Sequence, residues 1–140
     1  DRYFENLPMV RKYIEDRKQE VIDQKYVETE IGRRLYFRYD LENTKSLPAA
    51  QREAINFPIQ GQAADIVKAS MIEVQKLLLN YNTKIILQIH DELVFEFDES
   101  EMSRLIPEIK YIMENITPLS IKLRCDCEFG ENWENLSDWQ

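Results

Sequence analysis

Long apolar runs are missing from this chain: no stretch approaches the unbroken length needed to cross a bilayer, 31% of the 140 residues are charged, and a membrane span is excluded. Positive charge is short as well. The 18 Lys and Arg stand against 26 Asp and Glu, a formal net charge of -8. Autonomous nucleic-acid binders draw affinity from clustered basic groups that neutralise phosphates, so any such grip must come largely from outside this chain. Cysteine is scarce too, with only Cys125 and Cys127. A separation of one residue puts both on the same side of an extended strand and excludes a CxxC redox or zinc arrangement, so both are expected as core residues in a reducing intracellular compartment. The opening residues Asp1-Arg2-Tyr3-Phe4-Glu5 carry no initiator Met and no basic-then-apolar signal, and are expected to be an interior piece of a longer chain. Internal repeats and low-complexity segments are also lacking.

What is present is enough hydrophobic sequence, 44%, for one modest core. Met9, Val10, Tyr13, Ile14, Val21 and Ile22 recur at helical spacing behind Pro8, which suits a first helical turn, and predict a helix over residues 8 to 24. Tyr26-Val27-Glu28-Thr29 and Leu35-Tyr36-Phe37 are extended patterns around Gly32, a short hairpin whose turn carries Arg33 and Arg34. A polar loop from Asp40 to Ser46 leads into a helix that Pro58 should break or kink. Beyond it Ile59, Ala63, Ile66, Val67, Met71, Val74 and Leu78 trace the stripe of a second helix. Residues 84 to 89 and 93 to 97 are β-rich runs divided by His90-Asp91-Glu92, an antiparallel hairpin with a charged tip. Met102, Leu105, Ile106, Ile109, Ile112, Met113 and Ile116 form another helical stripe, ending by Pro118. Ile121, Leu123, Cys125, Cys127 and Phe129 alternate with charged residues as a half-buried returning strand. The expected architecture is α+β, with helices covering a small antiparallel sheet made of the hairpin and the C-terminal strand, its open edges available to another strand.

Two constellations carry possible chemistry. Strands on both sides of His90-Asp91-Glu92 would hold a carboxylate on a rigid support, as a metal site requires; equally, an Asp at a hairpin tip can do no more than satisfy turn geometry. Two-metal phosphoryl transfer needs carboxylates bridging ions roughly 3.5 to 4 Å apart, more than one tip supplies, so a further acidic residue must come from elsewhere. Arg52, Asn56 and Gln60, spaced by four, form one row on a helix. The row is either an ordinary solvated face or a set of donors suited to the minor-groove acceptors that every base pair presents.

The run Arg52-Glu53-Ala54-Ile55-Asn56-Phe57-Pro58-Ile59-Gln60-Gly61-Gln62-Ala63-Ala64-Asp65-Ile66 resembles the helix after the fingers in family A DNA polymerases, the bacterial polymerase I type. Gln88-Ile89-His90-Asp91-Glu92-Leu93-Val94 resembles their catalytic motif C. Tyr26-Val27-Glu28-Thr29, Gly32-Arg33-Arg34 and Gly130-Glu131-Asn132-Trp133 agree in order and spacing, so the resemblance spans almost the whole chain. Gln62 departs from it, because the family usually has Thr or Ser after the glycine.

The resemblance implies the tail of a fingers-like region over residues 1–45 and the C-terminal part of the palm over 46–140. It implies that Asp91 and Glu92 serve a site of two Mg2+ ions, with Glu92 at its edge and His90 near the primer terminus. Arg52, Asn56 and Gln60 would meet DNA at the nascent pair and minor groove, Gln88 would also bind DNA, and Arg33 and Arg34 would touch backbone phosphate. The implied partners are primer-template DNA, dNTP and an upstream polymerase portion bearing fingers, thumb and the rest of the palm, in replication or repair. The earlier aspartate motif and the nucleotide-holding fingers helix are not found in this sequence, and without them Asp91 is not expected to support phosphoryl transfer. A different class stays open: a non-catalytic structural subunit that keeps the palm fold and its partner contacts. An independent metal-dependent hydrolase is disfavoured by the low carboxylate count at the tip.

Overall fold

The computed structural model describes residues 2–38 and 46–139, which fall in two compact units, 1–65 and 66–140. The expected polar loop from Asp40 lies outside the described residues up to Ser46. Helices α1 (Arg2–Asn6), α2 (Pro8–Gln24), α3 (Ser46–Leu78) and α4 (Glu99–Asn115) alternate with strands β1 (Tyr26–Glu28), β2 (Arg34–Tyr36), β3 (Lys84–Ile89), β4 (Glu92–Glu96), β5 (Glu128–Phe129) and β6 (Ser137–Asp138). Among the described residues the strands form three separate antiparallel pairs, so the α+β class holds while the hairpin and the C-terminal strand do not share one sheet.

In the first unit, Pro8 occupies the first turn of α2, where its missing N–H has no intrahelical partner to lose. The helix ends at Lys25, whose φ of 59° is left-handed. That reversal lets the Lys25 carbonyl accept from Phe37 N at 2.8 Å and starts the β1–β2 hairpin beside the helix. Val21, Val27, Phe37, Ala50 and Ala54 form its core, flanked by Leu35, Leu47 and Phe57. Tyr13 reaches across to donate its hydroxyl to the Ile55 carbonyl at 2.9 Å, and desolvation there raises the phenol's pKa above its ordinary value.

Of the expected break or kink at Pro58, the break does not occur: α3 runs 33 residues through it. A proline inside a helix removes one backbone bond and crowds the carbonyl four residues earlier, at a cost of about 3 kcal/mol. Burial of Ala50 and Ala54 before it, and of Val67, Val74 and Leu78 after it, offsets that loss. The expected apolar stripe holds only in its later part, since Ile59 is 61% exposed.

In the second unit, α4 starts at Asp98, whose carboxylate accepts from Ser100 N at 3.0 Å as an N-cap. Leu105 and Ile109 of α4 pack with Val74 and Leu78, and Ile85, Phe95, Phe97, Ile112 and Met113 close around them. One face of the β3–β4 hairpin is thus covered by helix. A bulge sits between Ile85 and Leu87, so Ile86 is an extra residue on β3 and the inward-outward alternation slips there. Both Ile86 and Leu87 are consequently left about half exposed, at 51% and 45%.

The returning strand is a second correction. Leu123, Cys125 and Cys127 are half-buried while Arg124, Asp126 and Glu128 are exposed, but Ile121 is 72% exposed and pairing begins only at Glu128. β5 then pairs with β6 and not with the β3–β4 hairpin. The backbone between finds other partners: Cys125 N donates to the Glu114 carboxylate at 2.9 Å, and the Cys127 carbonyl accepts from Trp139 N at 2.8 Å. The two free cysteines, expected as core residues, lie half-buried, and desolvation raises both thiol pKa values.

Candidate functional site

The β3–β4 register pairs Ile89 with Glu92, so the tip is a two-residue turn of His90 and Asp91 and Glu92 already belongs to the strand. A two-residue hairpin turn needs positive φ at its first central residue, and His90 supplies it at 53°. Histidine enters the left-handed region more readily than most residues, yet Cβ crowding still costs roughly 1–2 kcal/mol. Gln88 braces the strained turn, donating its side-chain N–H to the His90 carbonyl at 3.1 Å. Asp91 thereby sits exposed on a short, pinned turn between two paired strands.

Neither the Asp91 nor the Glu92 carboxylate has a hydrogen-bond or ion-pair partner among the described residues. Unpaired carboxylates on a rigid support are suited to Mg2+, which typically takes one or two protein carboxylates and fills its other positions with water and phosphate oxygens. Among the described residues no group of three or more His, Cys, Asp or Glu is placed to hold a metal. The donor set at the tip therefore fits part of a metal site, not a whole one.

Within the first unit, Arg52, Asn56 and Gln60 are all exposed, one four-residue step apart along α3, while Ala50 and Ala54 turn into the core. Arg52 has no hydrogen-bond or ion-pair partner among the described residues. The structure thus keeps the row in one exposed line through the Pro58 position.

The arginines of the β1–β2 hairpin are engaged. Arg34 donates to the Glu28 carboxylate and stacks its guanidinium 4.7 Å from the centre of the Tyr26 ring. Arg33 donates Nε at 2.7 Å, and also Nη2, to Oδ1 of Asp65. Asp65 is only 4% exposed, and its other oxygen accepts from Thr29 Oγ1 at 3.2 Å. The helix approaches this turn closely at Gly61, where a Cβ would lie 2.8 Å from Thr29 Cγ2. Gln62, the residue that departs from the family pattern, donates to Glu30 of the same turn at 2.8 Å. Sequence reading did not find the Thr29, Arg33 and Asp65 group; a charged residue within an otherwise small and apolar helical run was the one signal for it.

With this geometry in place, the similarities are informative. The model of DNA polymerase family A matches residues 1–135. DNA polymerase I of Rhizobium leguminosarum is 37% identical over 95% of this chain and 14% of its own length. The thermostable DNA polymerase I of Thermus aquaticus is 39% identical over 95% of this chain and 16% of its own length. Among solved structures, the polymerase domain of Pol1 from M. smegmatis, in complex with DNA primer-template and dNTP, aligns with a TM-score of 0.82. It is 38% identical, over 87% of this chain and 22% of that one. The chain thus spans only about one-seventh of the length of the curated relatives it matches.

Proposed function

This chain belongs to DNA polymerase family A, and from that membership we propose that it supplies the motif C side of a DNA-directed DNA polymerase active site, completed by an upstream portion carrying the fingers, the thumb and the rest of the palm. The observation that carries this reading is the pinned, exposed Asp91 at the two-residue tip of β3–β4, without a partner among the described residues. In the assembled site Asp91 would hold Mg2+ and Glu92 would sit at its edge, with a second carboxylate from the upstream palm. The bound ions supply charge neutralisation at the transferring phosphoryl group and at the attacking and leaving oxygens. This chain's own residues then have distinct tasks. Asp91 offers a hard carboxylate at a fixed point, Gln88 keeps the turn from opening, and His90 faces the primer terminus from the same turn.

Arg52, Asn56 and Gln60 present donors and acceptors to the minor groove, where purine N3 and pyrimidine O2 occupy equivalent positions in every correct pair; the row checks shape without reading sequence. Gln88 would share in DNA contact. Arg33 would turn its remaining N–H toward backbone phosphate while Asp65 holds the other side of the guanidinium, and Arg34 would do so from its stack on Tyr26. The half-exposed Ile86 and Leu87 and the open edges of a two-stranded sheet support docking of an upstream palm strand beside the hairpin. The same reading takes residues 1–45 as a fingers-like tail and 46–140 as palm, in a protein of a reducing intracellular compartment. No described helix is long and apolar enough to cross a membrane.

Mixing this chain with its upstream portion and measuring primer extension with Mg2+ tests the proposal. Extension is expected from the mixture and not from either part alone, and Asp91→Ala should abolish it while the complex still forms. Equal extension with and without Asp91 would reject the catalytic assignment and leave a structural subunit.

A further inference from the structure

We propose that Asp65 is a positioning residue for minor-groove reading: with Thr29 and Arg33 it clamps the β1–β2 turn onto α3 and so fixes the register of Gln60 against Arg52 and Asn56. The inference rests on the polymerase reading above. Its starting point is a weakness in α3. Pro58 has no N–H to give the Ala54 carbonyl, and it falls between Asn56 and Gln60, so the row spans the one step of the helix whose backbone bond is missing. A small change of bend there would move Gln60 away from the line of the other two.

The turn is seated within two helical turns of that step. Gly61 admits Thr29 against the helix backbone, Gln62 holds Glu30, and Asp65 takes Thr29 on one oxygen and Arg33 on the other. The turn is itself closed by Thr29 N to the Arg33 carbonyl at 2.9 Å, Gly32 N to the Thr29 carbonyl at 2.9 Å and Arg33 N to Thr29 Oγ1 at 3.2 Å. It therefore docks as a rigid piece. Sliding or tilting the helix past it would strand a carboxylate that is 4% exposed without its cation, which is far more costly than losing a surface pair. The buried carboxylate thus makes one helix position strongly preferred, and the side chain it fixes first is Gln60, five residues earlier.

The test uses the chain assembled with its upstream portion, carrying Asp65→Asn, Arg33→Gln, both together, or Thr29→Ala. Single-turnover extension from matched and mismatched primer termini is measured per titrated active site, with thermal unfolding recorded alongside. Asp65→Asn and Arg33→Gln are each expected to lower the matched-to-mismatched rate ratio about tenfold, equivalent to ~1.4 kcal/mol of discrimination. The double variant should be no worse than the poorer single one, because both break the same clamp. Dependence on Mg2+ concentration should stay as in the unsubstituted protein. Loss of folded protein alone lowers the number of active sites and does not move the ratio. If Asp65→Asn does not fold, Thr29→Ala decides, with a smaller fall in the same direction expected. An unchanged ratio in the folded variants overturns the inference. The polymerase reading fails separately, if the unsubstituted assembly extends no primer or if Asp91→Ala is without effect.

Discussion

Gly61→Ala isolates the close approach of α3 to the β1–β2 turn. Inside a helix alanine is favoured over glycine by about 1 kcal/mol, so on propensity alone the substitution should stabilise. The added Cβ, however, would lie 2.8 Å from Thr29 Cγ2. Thr29 cannot easily yield: it is 3% exposed, β-branched, and its hydroxyl is bonded to Asp65. Overpacking of this kind costs typically 1–3 kcal/mol, which outweighs the helical gain and leaves a net loss of up to about 2 kcal/mol. Thr29→Ser removes Cγ2 and retains the hydroxyl, so in that background Gly61→Ala should reverse sign and stabilise by about 1 kcal/mol. Equilibrium urea unfolding of the four proteins measures the cycle, and hydrogen exchange at the Gly32 amide, bonded to the Thr29 carbonyl at 2.9 Å, reports the turn locally. A Gly61→Ala effect that is the same with Thr29 and with Ser there would refute the close contact as its cause.

Two further outcomes follow from buried or bonded polar groups. Ser70 Oγ is buried without a hydrogen-bond partner among the described residues, so Ser70→Ala should raise stability by about 1 kcal/mol in urea unfolding. Glu101 loses by desolvation but gains more from Asn82 N, Thr83 N and Thr83 Oγ1, which together hold its pKa below the ordinary carboxylate value. Asp98 is depressed in the same direction by Ser100 and Asn82. Folded values below unfolded ones contribute stability above the unfolded carboxylate range, and that contribution disappears as pH falls through the folded values. Glu101→Gln should therefore flatten the acid limb of a stability-versus-pH curve measured by thermal unfolding.

Elements built from local periodicity were legible in the sequence. Pro8 and the following stripe mark α2, and the paired β-rich runs around His90 mark the hairpin, whose tip is one residue shorter than expected because Glu92 pairs with Ile89. Failures came where long-range burial outweighed a local rule. Pro58 is a strong local breaker, yet α3 continues because buried residues on both sides of it hold the helix. Alternation from Leu123 to Cys127 truly reports inward and outward sides, but a strand also needs a partner edge, and Glu114 and Trp139 answer its backbone instead. The clamp was hidden for a related reason. Thr29 and Asp65 are 36 residues apart, and no spacing rule connects a hairpin turn to a helix at that distance. The row of Arg52, Asn56 and Gln60 needed only the helical repeat, so it could be read directly.

The central claim, that Asp91 becomes a metal ligand once its upstream partner is in place, is tested most directly by crystallography of the assembled polymerase. Crystals would hold primer-template and a non-reactive dNTP analogue, with Mn2+ in place of Mg2+ and anomalous scattering locating the ions. The account predicts a peak about 2.1 Å from an Asp91 carboxylate oxygen, with a second carboxylate from the upstream palm on the same ion. Ions bound to the nucleotide phosphates while Asp91 stays clear of both would contradict it.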